Sequence, residues 1–178
     1  MVSMDLSMSS ADAVEFVIEN FEGIEFVNHP DDRGGPTKYG ITKKTLSRAR
    51  GKAVRTDDIH TLELDEALKI YRQNYVLPVR GDEISYGPLR LAMIDYAIHS
   101  GPRAAVKALQ EIVDVTQDGA MGPVTLGALR RSDQRGVFVE LMAQRLTFLT
   151  RLVSRDTSQA SFVYGWGKRL AKILRMAV

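Results

Sequence analysis

The chain has 178 residues, 44% of them hydrophobic and 26% charged, with a formal net charge of only +2. That is enough for one compact domain, or for a larger lobe with a smaller one appended, and for a core that needs no covalent staples. It has no cysteine, which excludes a disulfide framework, a thiolate nucleophile and a cysteine-type zinc site.

Residues 1–10 show no periodicity and read as a disordered N-terminus. They carry no basic and apolar leader pattern, so no secretory signal is expected. No apolar run approaches the roughly 18 residues of a membrane span. A helix is predicted from Ser10, with Ser9 as cap and Asp12 in the first turn. Val14, Val17, Ile18 and Phe21 lie on one face, and Gly23 is suited to ending it. From Gly23 to Gly40 the pattern breaks into Pro, Gly, Asn and Asp, with short strands expected at Glu25–Asn28 and Lys38–Ile41.

Beyond that loop the pattern is helical. Thr42 or Thr45 opens a helix ending before Gly51. Asp65–Leu77 is the next, with Leu68, Tyr71 and Tyr75 on one side and Pro78 after it. Pro88–His99 is closed by Gly101, and Pro102 starts a helix to about Val113. Asp118-Gly119 is a turn, and Val124–Leu129 a short helix. Asp133–Val153 is a long one, with an expected apolar face of Val137, Leu141, Leu146, Phe148, Leu149 and Leu152. Ser161–Ala177 is the last. The fold class is mainly α, with a small β-hairpin/loop region near the N-terminus.

Chemistry points to the loop after the first helix. Glu22 closes that helix and precedes a polar, glycine-rich stretch. A carboxyl half-buried at a cleft wall is favoured in its protonated form, as a general acid for glycoside cleavage requires. Asp31 follows nine positions later, and Thr37 six positions after that. A second carboxylate and a hydroxyl can hold an attacking water while the acid protonates the leaving oxygen. Gly34 and Gly35 allow a tight loop that presents Asp31 or Asp32, or a plain hairpin turn. Thr37 is either a water-binding hydroxyl or a strand former. Tyr39 either lines a cleft or packs in the core. Glu25 reads as an exposed strand residue.

The Glu22, Asp31, Thr37 spacing resembles that of phage-type lysozymes. The segment as a whole is more specific: Phe21-Glu22-Gly23, Val27-Asn28-His29-Pro30, Asp32-Arg33-Gly34-Gly35 and Thr37-Lys38-Tyr39-Gly40-Ile41-Thr42. It resembles glycoside hydrolase family 108, whose pattern runs Glu-Gly-Gly-Tyr-Val-Asn, a Pro, Asp-Pro-Gly-Gly, a Thr, then Tyr-Gly-Ile. Members of that family are N-acetylmuramidases, among them phage endolysins and bacterial muramidases linked to protein secretion. The resemblance implies a lysozyme-like helical domain and makes Glu22 the catalytic residue. Asn28 and Tyr39 are candidates for substrate binding. The stretch Gly23-Ile24-Glu25-Phe26 is one residue longer than the family's Gly-Gly-Tyr, and Arg33 replaces a proline. Motif alignment therefore selects Asp32 as the second carboxylate, whereas counting from Glu22 selects Asp31.

Leu109-Gln110, Asp118-Gly119, Gly122-Pro123-Val124-Thr125, Phe162, Gly165-Trp166 and Arg169 resemble the peptidoglycan-binding region often fused to such muramidases. This implies a catalytic region over 11–100 and a helical peptidoglycan-binding region over 101–178 packed on it. Trp166 either stacks on sugar or caps the core, and Asp95, set among apolar residues, reads as a buried polar anchor. No acidic residue follows Asp156, while Lys168, Arg169, Lys172 and Arg175 do. That tail is either a solvated helix face or a contact for an anionic partner, a membrane surface included. His29, His60 and His99 have no metal-ligand spacing, and no nucleophile elbow or phosphate loop occurs. The expected partner is peptidoglycan, with no nucleic acid, metal or cofactor, for a monomer. The expected setting is a phage endolysin made in the cytoplasm, reaching the periplasm and cell wall by holin-type or other signal-independent release. The alternatives are a bacterial muramidase supporting secretion, or a binding module without catalysis.

Overall fold

The computed structural model describes residues 7–28 and 35–177. Of the opening decapeptide, residues 1–6 lie outside that range, and Ser9 and Ser10 belong to the start of the first helix. Helix α1 (Ser10–Val17) begins with a closed capping box: the Ser9 hydroxyl accepts from the Asp12 N–H, and the Asp12 carboxylate accepts from the Ser9 N–H. Its last turn widens. Ile18–Glu22 form a π turn, closed by the Gly23 N–H donating to the Ile18 carbonyl at 2.9 Å.

Strands β1 (Thr37–Lys38) and β2 (Ile41–Thr42) pair antiparallel, Thr37 opposite Thr42, and Val27 forms a bridge to Thr37. The single strand expected over Lys38–Ile41 is therefore two, folded back at Tyr39–Gly40. Both turn residues have positive φ, 53° and 70°, the left-handed backbone that a two-residue hairpin turn needs. Thr42 then caps α2 (Lys43–Arg50), which ends at Gly51 with φ 65°.

Helix α3 (Thr56–His60) was not anticipated; at five residues it is too short to show a period. The Asp58 carboxylate anchors its start by accepting from the Arg55 N–H at 2.7 Å. Arg50 ties this region together. It makes two parallel bonds to Glu66 on α4 (Leu64–Tyr71), both 2.8 Å, and one to Asp58, also 2.8 Å. Helix α4 also widens into a π turn, Arg72–Val76.

The middle of the molecule is α5 (Gly87–Ser100). Every residue from Leu91 to Ala97 is buried, the mark of a helix surrounded by others. It packs against α1, α6 (Pro102–Ile112), α8 (Gln134–Arg155) and α9 (Val163–Leu174). Full burial of each of Leu89, Leu91, Met93 and Ile94 contributes about 2 kcal/mol. Core residues from Ala13 to Ile173 form one contiguous cluster. Between α6 and α7 (Pro123–Arg131) the Asp118-Gly119 turn is held by Gln110, which is 1% exposed. The Gln110 amide donates to Asp118, to the Ala120 carbonyl and to Thr125, and it accepts from the Gly119 N–H. The Gln110, Asp118-Gly119 and Thr125 part of the second motif is thus a polar knot shaping a loop.

Two of the expected core positions on α8 are surface: Leu146 is 52% exposed and Phe148 is 40%. The buried stripe runs Val137, Phe138, Leu141, Met142, Arg145, Leu149. An arginine inside it disguised the period. Arg145 donates through Nη1 to Asp95 at 2.5 Å, with both side chains essentially sealed from solvent. Its guanidinium lies over the Tyr96 ring, 4.9 Å from the centroid, while its Nε and Nη2 have no hydrogen-bond partner among the described residues. Arg145→Met removes one of the two cations that compensate Asp95. It is expected to cost about 3 kcal/mol and to lower the thermal unfolding midpoint, followed by circular dichroism, by about 6–12 °C.

Candidate active site

The π turn ending α1 delivers Glu22 to the junction of three elements: its own helix end, the β1–β2 hairpin turn and α9. Its side chain is 23% exposed. Arg169, 147 positions away on α9, donates through Nη2 to Glu22 Oε1 at 3.0 Å. The same guanidinium donates through Nε to Asp95 Oδ1 at 2.8 Å, and Arg145 holds the other Asp95 oxygen. Four charges thus form one chain, Glu22–Arg169–Asp95–Arg145. The Arg169 guanidinium also lies over the Phe21 ring at 4.6 Å, so it is held by stacking as well as by charge.

The other Glu22 oxygen faces the hairpin. A Cβ at Gly40 would stand 2.6 Å from the Tyr71 hydroxyl, 2.9 Å from Glu22 Cβ and 3.1 Å from Glu22 Oε2. Gly40 therefore serves both a left-handed turn and a close approach. The Tyr71 hydroxyl donates to the Tyr39 carbonyl at 2.8 Å, pinning the turn beside Glu22. Tyr75, in the second π turn, lies with its ring 5.5 Å from that of Tyr71. Burial, then the nearby Glu22 charge, pushes both phenols above their ordinary range, so both remain neutral hydroxyls at any working pH.

Glu22 thus lies between Arg169 on one side and, on the other, the Tyr39–Gly40 turn that Tyr71 holds. Thr37 is on β1, half-buried, exchanging backbone hydrogen bonds with Val27. Asn28 follows Val27 and is exposed, as is Glu25. Tyr39 is half-buried with the Lys38 ammonium over its ring. Trp166 is on α9, one turn before Arg169. It is half-buried, stacked on Phe162 and edge-on to His99. Asp31 and Asp32 lie outside the described residues. Asp95 is indeed a buried anchor, at 0% exposed. Of the basic tail, Arg169 and Lys172 make internal contacts, Lys172 with Asn20. Among the described residues no group of three or more His, Asp or Glu side chains could hold a metal ion. The pairing of Arg169 with Glu22 and the seat formed by Tyr71 and Gly40 were not anticipated. The only sequence signals for them were the Tyr-Gly dipeptide and an arginine already noted in the second motif.

Two outcomes follow from this geometry. Gly40→Ala should lower stability by about 1–3 kcal/mol. Gly51→Ala, also at positive φ but with open space around it, should cost only about 1 kcal/mol; thermal unfolding of the two variants compares them. His99 is held down at about 4, from an ordinary 6.5, by burial and then by the charges of Arg145 and Arg169. The unfolded chain therefore takes up this proton below about pH 6.5, whereas the folded chain does so only near pH 4. Stability from this group is complete above that window and declines as pH falls through it. His99→Gln should flatten the midpoint-versus-pH curve between those limits, and an unchanged slope would assign the acid sensitivity elsewhere.

Comparison with known proteins agrees with this architecture. The family model described as "Glycosyl hydrolase 108" matches residues 15–101, and the one described as "Predicted Peptidoglycan domain" matches residues 104–171. No curated protein sequence matches the chain. Among solved structures, SagA of Brucella abortus superposes with a TM-score of 0.80 at 38% identity, covering 94% of this chain and 92% of that one. A helix-borne glutamate facing a small hairpin, two consecutive family matches and near full-length likeness to a solved relative lead to one assignment: the chain belongs to the glycosyl hydrolase 108 family and is a glycoside hydrolase acting on peptidoglycan.

Proposed function

We propose that the protein is an N-acetylmuramidase, hydrolysing the β-1,4 bond between N-acetylmuramic acid and N-acetylglucosamine, with Glu22 as general acid. The observation that carries this reading is the seating of Glu22. One carboxyl oxygen is oriented by Arg169 and the other is directed at the hairpin turn. In the reaction Glu22 donates its proton to the glycosidic oxygen as the bond to the muramic acid C1 breaks. A water held by the second carboxylate, Asp32 or Asp31, and by Thr37 adds to that carbon and gives up its proton to the carboxylate. Arg169 is shared between Glu22 and Asp95. When Glu22 takes up a proton, Arg169 still has an anionic partner and need not move. Arg169 is thus a positioning residue. Asn28 after the Val27 bridge, Tyr39 in the hairpin turn and Trp166 on α9 are proposed to contact sugar.

Two biological settings fit the activity. One is lysis of a host by a phage endolysin released through a holin. The other is a bacterial muramidase that opens the wall for protein secretion. Likeness to a chain from a bacterium, Brucella abortus, supports the second. Expression in the cytoplasm with and without a co-expressed holin distinguishes them: prompt lysis only with the holin fits the endolysin. Separately, Glu22→Gln should reduce release of muropeptides from purified peptidoglycan by about 10²- to 10⁴-fold. Mass spectrometry of the wild-type products should find reducing muramic acid ends. Reducing glucosamine ends, or near wild-type turnover in the variant, would refute the assignment.

A further inference from the structure

A cavity of about 450 Å³ opens between α6 and α8, remote in sequence from the hairpin. That volume is ordinary for a small-ligand site. Its rim carries charge of both signs: Lys107 and Glu111 one turn apart on α6, and Glu140 and Arg151 on α8. None of the four forms an ion pair among the described residues. Opposite charges facing one cavity without neutralising one another are available to an occupant.

The floor adds a second feature. Tyr96 is 5% exposed and lines the cavity, and its hydroxyl is open to that cavity rather than sealed in the core. The ring beneath is fixed by the Arg145 guanidinium. Such a phenol normally has a polar partner. Phe148, exposed at the rim, supplies an apolar surface beside it.

Gln117, Gln144 and Thr147 in the lining can hydrogen-bond a sugar or a peptide alike, but a neutral sugar leaves the four charges unused. Glycan strands carry hydroxyls and amides, and their recognition relies on aromatic faces and neutral hydrogen bonds. The peptide stems of peptidoglycan carry carboxylates and a free amine on a short chain. That is the complement of two cations and two anions around one cavity. We propose that the α6–α8 cavity is a second binding site of this protein and takes the amphoteric peptide stem of peptidoglycan. Lys107 and Arg151 would pair its carboxylates, Glu111 and Glu140 its amine, and the Tyr96 hydroxyl a backbone amide. The proposal rests on peptidoglycan being the substrate, and it divides recognition: glycan at Glu22, peptide at the cavity.

Isothermal titration calorimetry with the full chain tests it. The probes are the tetrapeptide L-Ala–γ-D-Glu–meso-diaminopimelate–D-Ala and, separately, glycan strands freed of peptide. Wild type and Glu22→Gln should bind the tetrapeptide with the same Kd. Lys107→Glu/Arg151→Glu should weaken it about tenfold or more, and Tyr96→Phe about threefold. Arg131→Glu, a single charge reversal on α7 outside the cavity, should bind as wild type. Should the double reversal unfold, Lys107→Ala/Arg151→Ala replaces it, with a smaller loss of the same direction. No tetrapeptide binding, equal binding by all variants, or equal loss in Arg131→Glu overturns the proposal. Failure of the catalytic reading looks different: Glu22→Gln would still cleave glycan while the tetrapeptide results held.

Discussion

A carboxylate with no exposure has lost its water, and at Asp95 two arginines stand where that water would be. One is buried on α8 and the other lies at the edge of α9. The arrangement of the second half of the chain follows from this need. Helix α8 is rotated so that an arginine, not a leucine, completes its inward stripe. Helix α9 is drawn across α5 until Arg169 reaches both Asp95 and Glu22. A buried ion pair adds little net stability over a well-packed apolar one. What it supplies here is position, since a guanidinium that must satisfy two carboxylates has little freedom in where it sits.

The site is also assembled from the N-terminal side by packing rather than by charge. Tyr71, with Tyr75 packed on its ring, holds the hairpin turn against Glu22, and Gly40 allows the approach. The glutamate therefore has a rigid wall on one flank and a shared cation on the other. This is the kind of support that keeps a reacting group within a fraction of an ångström of where it is needed.

Most helix boundaries were legible because they depend on local chemistry. Ser9 with Asp12, Thr42 with Gly51, Pro88 with Gly101, Pro102 and Asp133 act within one turn of themselves, and each stands where it was expected. The motif singled out Glu22, and the structure seats that side chain between Arg169 and the hairpin turn. What escaped notice depends on distant partners or on rare backbone. Arg145 belongs to the core only because Asp95 does, and an apolar face drawn without it takes in Leu146 and Phe148, which the structure exposes. Tyr39 takes a left-handed φ that tyrosine seldom adopts, so one strand was read where the chain turns. The contact between Arg169 and Glu22 spans nearly the whole chain, and no periodicity in either helix announces it.

Both helices that flank the site, α1 and α4, give up regular geometry where they reach it, each closing on a π turn. Such turns contain one more residue than an α turn and are less favourable as backbone. The direction of Glu22 is therefore written partly in a residue count. Removing one residue from Ile18–Glu22 would restore ordinary helical bonding and would swing the carboxyl by about 100°, away from both Arg169 and the hairpin. Helical regularity and the aim of the proposed acid are opposed at this turn, so a change that looks like an improvement to the helix alone would turn Glu22 away from its partners.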